Sequence, residues 1–194
     1  MHTELPTLVE LDGEALRLTL EAVAAISPGD LSRPTPCAEW DLEALLRHMT
    51  GQHRGFARAA GRLRTVAGDF APVQDADVVA AYPAAAAAVA DAFAALDGGA
   101  RLWIPEISEA TPLPALFAVG AHLTDNLLHA WDVARATGHR RAVPETLAGP
   151  ALALAKSASA RRGPGAPFLE ELPAAPGASA FDQLLAWSGR DAGW

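Results

Sequence analysis

Between Thr7 and Ile26 the apolar residues Leu8, Leu11, Ala15, Leu18, Ala22 and Ile26 recur at steps of three and four, the period of an amphipathic helix. The stretch SPGDLSRPTPCAEW that follows carries three prolines and no such period, so it reads as an ordered loop. Connections of about a dozen residues in compact domains often carry function. A second helix begins at Asp41, which can cap the free amides of the first turn while Trp40 and Leu45 occupy the staple positions. Its inward stripe is Leu45, His48, Met49, Gln52 and Phe56, so the polar pair His48 and Gln52 interrupts a face meant for the core. That helix is expected to fray near Gly61 to Gly68.

An alanine-rich third helix is predicted from Asp75 to Leu96, closed by Gly98 and Gly99. Pro83 within it marks either the true helix start or a kink. The segment from Ala100 to Leu113 reads as a long crossover with room for a short extended piece. The fourth helix runs from Pro114 to Thr137, with Gly138 as its C′ residue. A fifth spans Pro144 to Ser159, and after a Pro/Gly-rich stretch a last one spans Ala180 to Ser188. No run alternates convincingly as a strand, so the fold class is all-α. Four helices of near 20 residues suffice for a four-helix bundle about 30 Å tall.

Composition narrows the function classes. A chain of 194 residues with 51% hydrophobic and 20% charged residues is of single-domain size and can bury roughly 70% of its unfolded surface. A net charge of −8 repels phosphate backbones and anionic headgroups, which argues against nucleic acid and membrane partners. Cys37 is the only cysteine and has no internal disulfide partner; with no basic neighbour in sequence, packing is the expected role. The N-terminus lacks the basic and apolar regions of a secretory signal, and no apolar run reaches the ~20 residues that span a bilayer. The expectation is a soluble, cytoplasmic protein, monomeric or homodimeric.

The candidate chemistry lies on the fourth helix. At about 100° per residue, His122, Asp125 and His129 fall within roughly 60° of one another. Asp125 and His129 form a D-x-x-x-H pair, whose side chains one turn apart can converge on one ion. His48, on the apolar stripe of the second helix, is the candidate third ligand. Two neutral imidazoles and a carboxylate leave a divalent ion with residual positive charge and an open position, as in catalytic zinc sites; nickel, iron or manganese also suit the set. An internal histidine can equally be a hydrogen-bonded core residue. His122 stands as a hydrogen-bond partner to the site, an alternative ligand or a rim residue. Asp132 and Arg135 follow the His129 turn and could orient a ligand or form a helix-end salt bridge. Trp40, Trp103, Trp131 and Trp187 could line a pocket or anchor helix ends.

Two segments, PTPCAEWDLEALLRHM and HLTDNLLHAWDVARATG, resemble the metal-binding N-terminal domain of mycothiol-dependent maleylpyruvate isomerases, within the DinB-like superfamily of four-helix bundles. The resemblance runs from the first helix to about Gly138, and the ending DQLLAWSGRDAGW resembles an uncharacterised single-domain branch of that family. It implies a DinB-like metal-binding bundle over residues 1–140, with residues 141–194 as a C-terminal extension packed on it in the same domain. It places the family's metal ligands on His48, Asp125 and His129. The isomerases have glutamate where this chain has Asp125, and other members of the superfamily use three histidines. The isomerases also carry a further C-terminal domain, whereas only about 55 residues follow Gly138 here, so the resemblance implies fold and metal rather than that substrate.

The function implied is a divalent-metal-binding helical bundle, with zinc as the leading metal and a low-molecular-weight thiol such as mycothiol as a further cofactor. Such a protein would act as a metal-assisted, thiol-dependent transferase or isomerase on a small electrophilic substrate. The alternative is a non-catalytic metal or small-molecule binding module. No catalytic acid or base is visible in the sequence.

Overall fold

The computed structural model describes residues 4–37, 40–158, 161–163 and 168–194. It is mostly helical. In chain order the helices are α1 (Leu5–Ala24), α2 (Leu42–Ala60), α3 (Val78–Ala94), α4 (Ala115–Ala136), α5 (Glu145–Ser157) and α6 (Ala180–Ser188). Two-residue strands β1 (Arg101–Leu102) and β2 (Leu113–Pro114) pair antiparallel and pin the two ends of the segment joining α3 to α4. This is the extended piece of the crossover, too short to change the all-α class. Ala38 and Glu39 of the first loop, and Ser159 at the expected end of the fifth helix, lie outside the described residues.

Local chemistry explains the boundaries. Asp41 accepts the Ala44 amide at 2.9 Å and starts α2, and Asp77 does the same for α3 through Ala80 at 3.0 Å. α3 therefore begins five residues before Pro83 and continues through it, forfeiting one ladder bond inside the helix. α4 ends at Gly138, whose φ of +77° is the left-handed C′ conformation. α2 ends at Gly61 without a long frayed stretch, and Ala67–Phe70 forms a short 3-10 turn.

α1 packs against α4 and α3, and α2 against α3 and α4; α5 lies on α4, and α6 lies on α5. Leu8, Leu45, Phe70, Tyr82, Phe93, Leu123 and Leu127 are fully buried between them. Each such side chain removed from water contributes about 1.5–3 kcal/mol, which secures the register of α2 against α4. Gly51 lets the backbone of Ala71 come close to α2; a Cβ there would collide with the Ala71 carbonyl. Among the described residues no helix is long and apolar enough to cross a membrane.

Candidate metal site

α2 and α4 face each other with two layers of histidine. In one layer His48 of α2 meets His129 of α4, ring centroids 5.4 Å apart; in the other, His53 meets His122 at 5.0 Å. The five-residue step on α2 and the seven-residue step on α4 set the two layers.

In the first layer, ligand-capable atoms of His48, Asp125 and His129 all lie within 4.8 Å of one another. His129 Nε2 is 3.3 Å from Asp125 Oδ1, and the ring of Trp40 stands 4.5 Å from that of His48. His48 is half-buried, the Asp125 side chain is 39% exposed and the His129 side chain is buried, so Asp125 is the edge of the cluster nearest solvent. His48 makes no side-chain hydrogen bond among the described residues. Burial, with help from the neighbouring His129 charge, lowers His48 to about 4, so it is a neutral imidazole at neutral pH. For Asp125, burial works toward the neutral acid, but the charge and hydrogen bond of His129 prevail and keep it ionised. Burial likewise opposes charge on His129, yet Asp125 and then Asp132 hold its pKa well above the ordinary histidine value. The cluster could hold a cation: two carboxylates focus negative potential on one imidazole, and a neutral imidazole lone pair stands beside it.

Behind His129 lies a further set of contacts. Asp132 Oδ2 accepts from His129 Nδ1 at 2.8 Å, which leaves Nε2 directed at Asp125 and His48. The Cys37 thiol donates to Asp132 Oδ2 at 3.2 Å and sits 4.0 Å from His129 Nδ1. Cys37, His129 and Asp132 thus form another group of close donors. An ion on that side would stand against the Arg190 guanidinium, which bonds Asp132 and lies 3.2 Å from the Cys37 sulfur. The like charge disfavours it, so the His48 side is the better cation site. Cys37 also has a basic neighbour after all, one supplied from 153 residues away by the fold.

His122 is not part of the first layer. It is buried and bonds Asp12 Oδ1 through Nδ1 at 2.7 Å and His53 Nδ1 through Nε2 at 2.9 Å. His53 Nε2 then meets the Tyr82 hydroxyl at 2.8 Å. Burial lowers the His53 pKa well below its ordinary value and raises that of Tyr82. One proton per bond follows when Tyr82 donates to His53, His53 to His122, and His122 to the Asp12 carboxylate. The core-histidine reading is the one His122 fulfils.

Gln52, the other polar residue on the α2 stripe, donates to the Phe70 carbonyl at 3.3 Å and to Glu106 Oε2 at 2.9 Å. Glu106 reaches solvent, but partial shielding of its carboxyl raises the pKa, and the Asp125 charge adds to the rise. Of the other tryptophans, Trp131 stacks near Arg135, Trp187 under Arg162 and Trp103 under Arg64.

Residues 13–134 match the model of the mycothiol maleylpyruvate isomerase N-terminal domain, and the chain belongs to that family. Two curated relatives, both uncharacterized proteins of Mycobacterium tuberculosis, one from strain CDC 1551 / Oshkosh and one from strain ATCC 25618 / H37Rv, are each 35% identical over 176 residues. The match covers 87% of this chain and 89% of each relative. No solved structure matches.

Proposed function

We propose that this chain is a DinB-like four-helix bundle that holds one divalent metal on His48, Asp125 and His129 and uses it to activate a small thiol toward an electrophilic substrate. The observation that carries the reading is the convergence of two imidazoles and a carboxylate within 4.8 Å, with the carboxylate side chain partly exposed. Family membership supports mycothiol as the thiol, because the family takes its name from a mycothiol maleylpyruvate isomerase. When bound there, a divalent ion supplies Lewis acidity that favours thiolate over thiol at neutral pH.

The protein's own groups do the rest. His48 offers a neutral donor, His129 would become one by giving up its Nε2 proton to the incoming ion, and Asp125 would offset one unit of the ion's charge. Asp132 fixes the His129 tautomer through Nδ1. Trp40 shields one side of His48 from water. Glu106, held by Gln52 one turn along α2 from His48 and close enough for the Asp125 charge to raise its pKa, would take up the thiol proton.

Elemental analysis of the purified chain should give about one zinc or related ion per molecule. A Co(II)-substituted sample should change its visible absorption on adding mycothiol. A spectrum unmoved by mycothiol would instead establish a binding module without thiol chemistry, and a chain free of metal would sink the reading.

A further inference from the structure

The segment following α6 lies beyond the residues matched by the family model, yet it reaches the metal site. Arg190 Nε donates to Asp132 Oδ1 at 2.9 Å and Nη2 to Oδ2 at 2.8 Å, a bidentate fork on a fully buried carboxylate. The Arg190 side chain is itself only 9% exposed. The same Asp132 Oδ2 accepts from His129 Nδ1. Arg190, Asp132 and His129 are therefore a continuous chain whose far end is His129 Nε2.

The backbone is built to deliver this arginine. Gly189 turns the chain out of α6 with φ of +82°, and a Cβ there would meet Leu169 Cβ at 2.5 Å and the Glu170 carbonyl oxygen at 2.9 Å. The turn is closed by the Arg190 amide bonding the Leu185 carbonyl at 2.8 Å. Arg135 of α4 adds a tie to the Ala192 carbonyl at 3.3 Å.

We propose that Arg190 is a positioning residue for the metal site: it locks Asp132 in the orientation that holds the proton on His129 Nδ1 and presents Nε2 to the ion, so the C-terminal segment completes the site that α2 and α4 begin. This deepens the metal-binding reading and rests on it. The planar fork is essential, because one face of Asp132 must be held while Oδ2 still serves His129; an ammonium at the same place offers charge without that geometry.

The test uses the full chain as wild type, Arg190→Gln and Arg190→Lys. Chelator competition would report Zn(II) affinity, visible absorption would report Co(II) geometry, and imidazole 15N–1H correlation of the metal-free protein would report the His129 Nδ1 proton. Loss of the fork is expected to weaken Zn(II) binding about 10- to 100-fold, the range for contacts that orient a ligand, with stoichiometry intact. The Co(II) bands should shift, and the His129 Nδ1 proton should lose its protection from exchange. Arg190→Lys should recover part of each effect and serves as the decisive variant if Arg190→Gln does not fold. Wild-type affinity, Co(II) bands and Nδ1 protection in a folded Arg190→Lys or Arg190→Gln would overturn the proposal. A wild type that takes up no ion, but whose His129 Nδ1 signal depends on Arg190, would refute the metal reading while leaving the positioning role in place.

Discussion

The two histidine layers between α2 and α4 are built from the same residue types and differ in where their hydrogen bonds end. In the His53–His122 layer, every ring nitrogen has a protein partner, and the chain runs from the buried Asp12 carboxylate to the buried Tyr82 hydroxyl. Nothing is left over for a ligand. In the His48–His129 layer, His48 has no such partner among the described residues, and His129 Nε2 faces Asp125, whose side chain is partly exposed, across 3.3 Å. Closure makes one layer structural; incompleteness makes the other the candidate site. A histidine pair at core spacing is therefore assigned by following its bonds outward to their last acceptor.

Crossing the two layers by mutation gives the widest separation. His129→Ala is expected to reduce bound metal from about one ion per chain to near zero, read by elemental analysis. Because His129 carries a proton between two carboxylates in the metal-free state, some loss of stability is also expected. Asp12→Ala should do the reverse: metal stoichiometry unchanged, but stability lower by about 3–5 kcal/mol, the usual cost of removing one partner from a fully buried polar chain. Urea unfolding would measure it. Metal loss in Asp12→Ala with an intact fold would break the comparison.

Much of the first layer is legible in the sequence. Asp125 and His129 stand one helical turn apart, the bounds of α6 follow from composition, and Asp41 announces the start of α2. Asp132, three residues after His129, lies near enough on the helix to be suspected as its orienting group. What is not legible depends on tertiary approach. Asp12 meets His122 across 110 residues and Arg190 meets Asp132 across 58, and no periodicity carries such pairings. His122 shares the face of the candidate ligands by angle alone, so only its distant partner shows that it belongs to the core. Glu106 sits in the crossover, where no regular period marks which side chains turn back toward Gln52.

Acid should separate the layers by an intermediate amount. In the metal-free protein, burial keeps His53 neutral well below 6.5, whereas the unfolded chain takes up that proton near 6.5. Stability is complete above that pH and declines as pH falls below it, by up to about 1.4 kcal/mol per pH unit for this group. His48, lowered to about 4, adds its own loss between 6.5 and that value. His129 runs the other way: its folded pKa is raised, so its contribution is present below 6.5 and lost as pH climbs through the raised value. Saturating Zn(II) takes the place of that proton and should abolish the alkaline loss. The acid loss from His53 should persist at any pH where the ion stays bound. Unfolding curves at several pH values, with and without Zn(II), distinguish the two limbs.

The smallest effect tests the end of the closed chain. Tyr82→Phe removes the hydroxyl that meets His53 Nε2 and adds no bulk, leaving one buried ring nitrogen without a partner. A loss of about 1–3 kcal/mol is expected from that orphaned acceptor, with Zn(II) affinity unchanged. The ring itself remains packed, so the cost comes from the bond alone. If Tyr82→Phe were neutral in stability, the bond between the Tyr82 hydroxyl and His53 Nε2 would contribute nothing, and the stabilising chain would end at His53. If it changed metal affinity tenfold, the two layers would be energetically joined through α2, and the separation between a closed core network and an open site would fail.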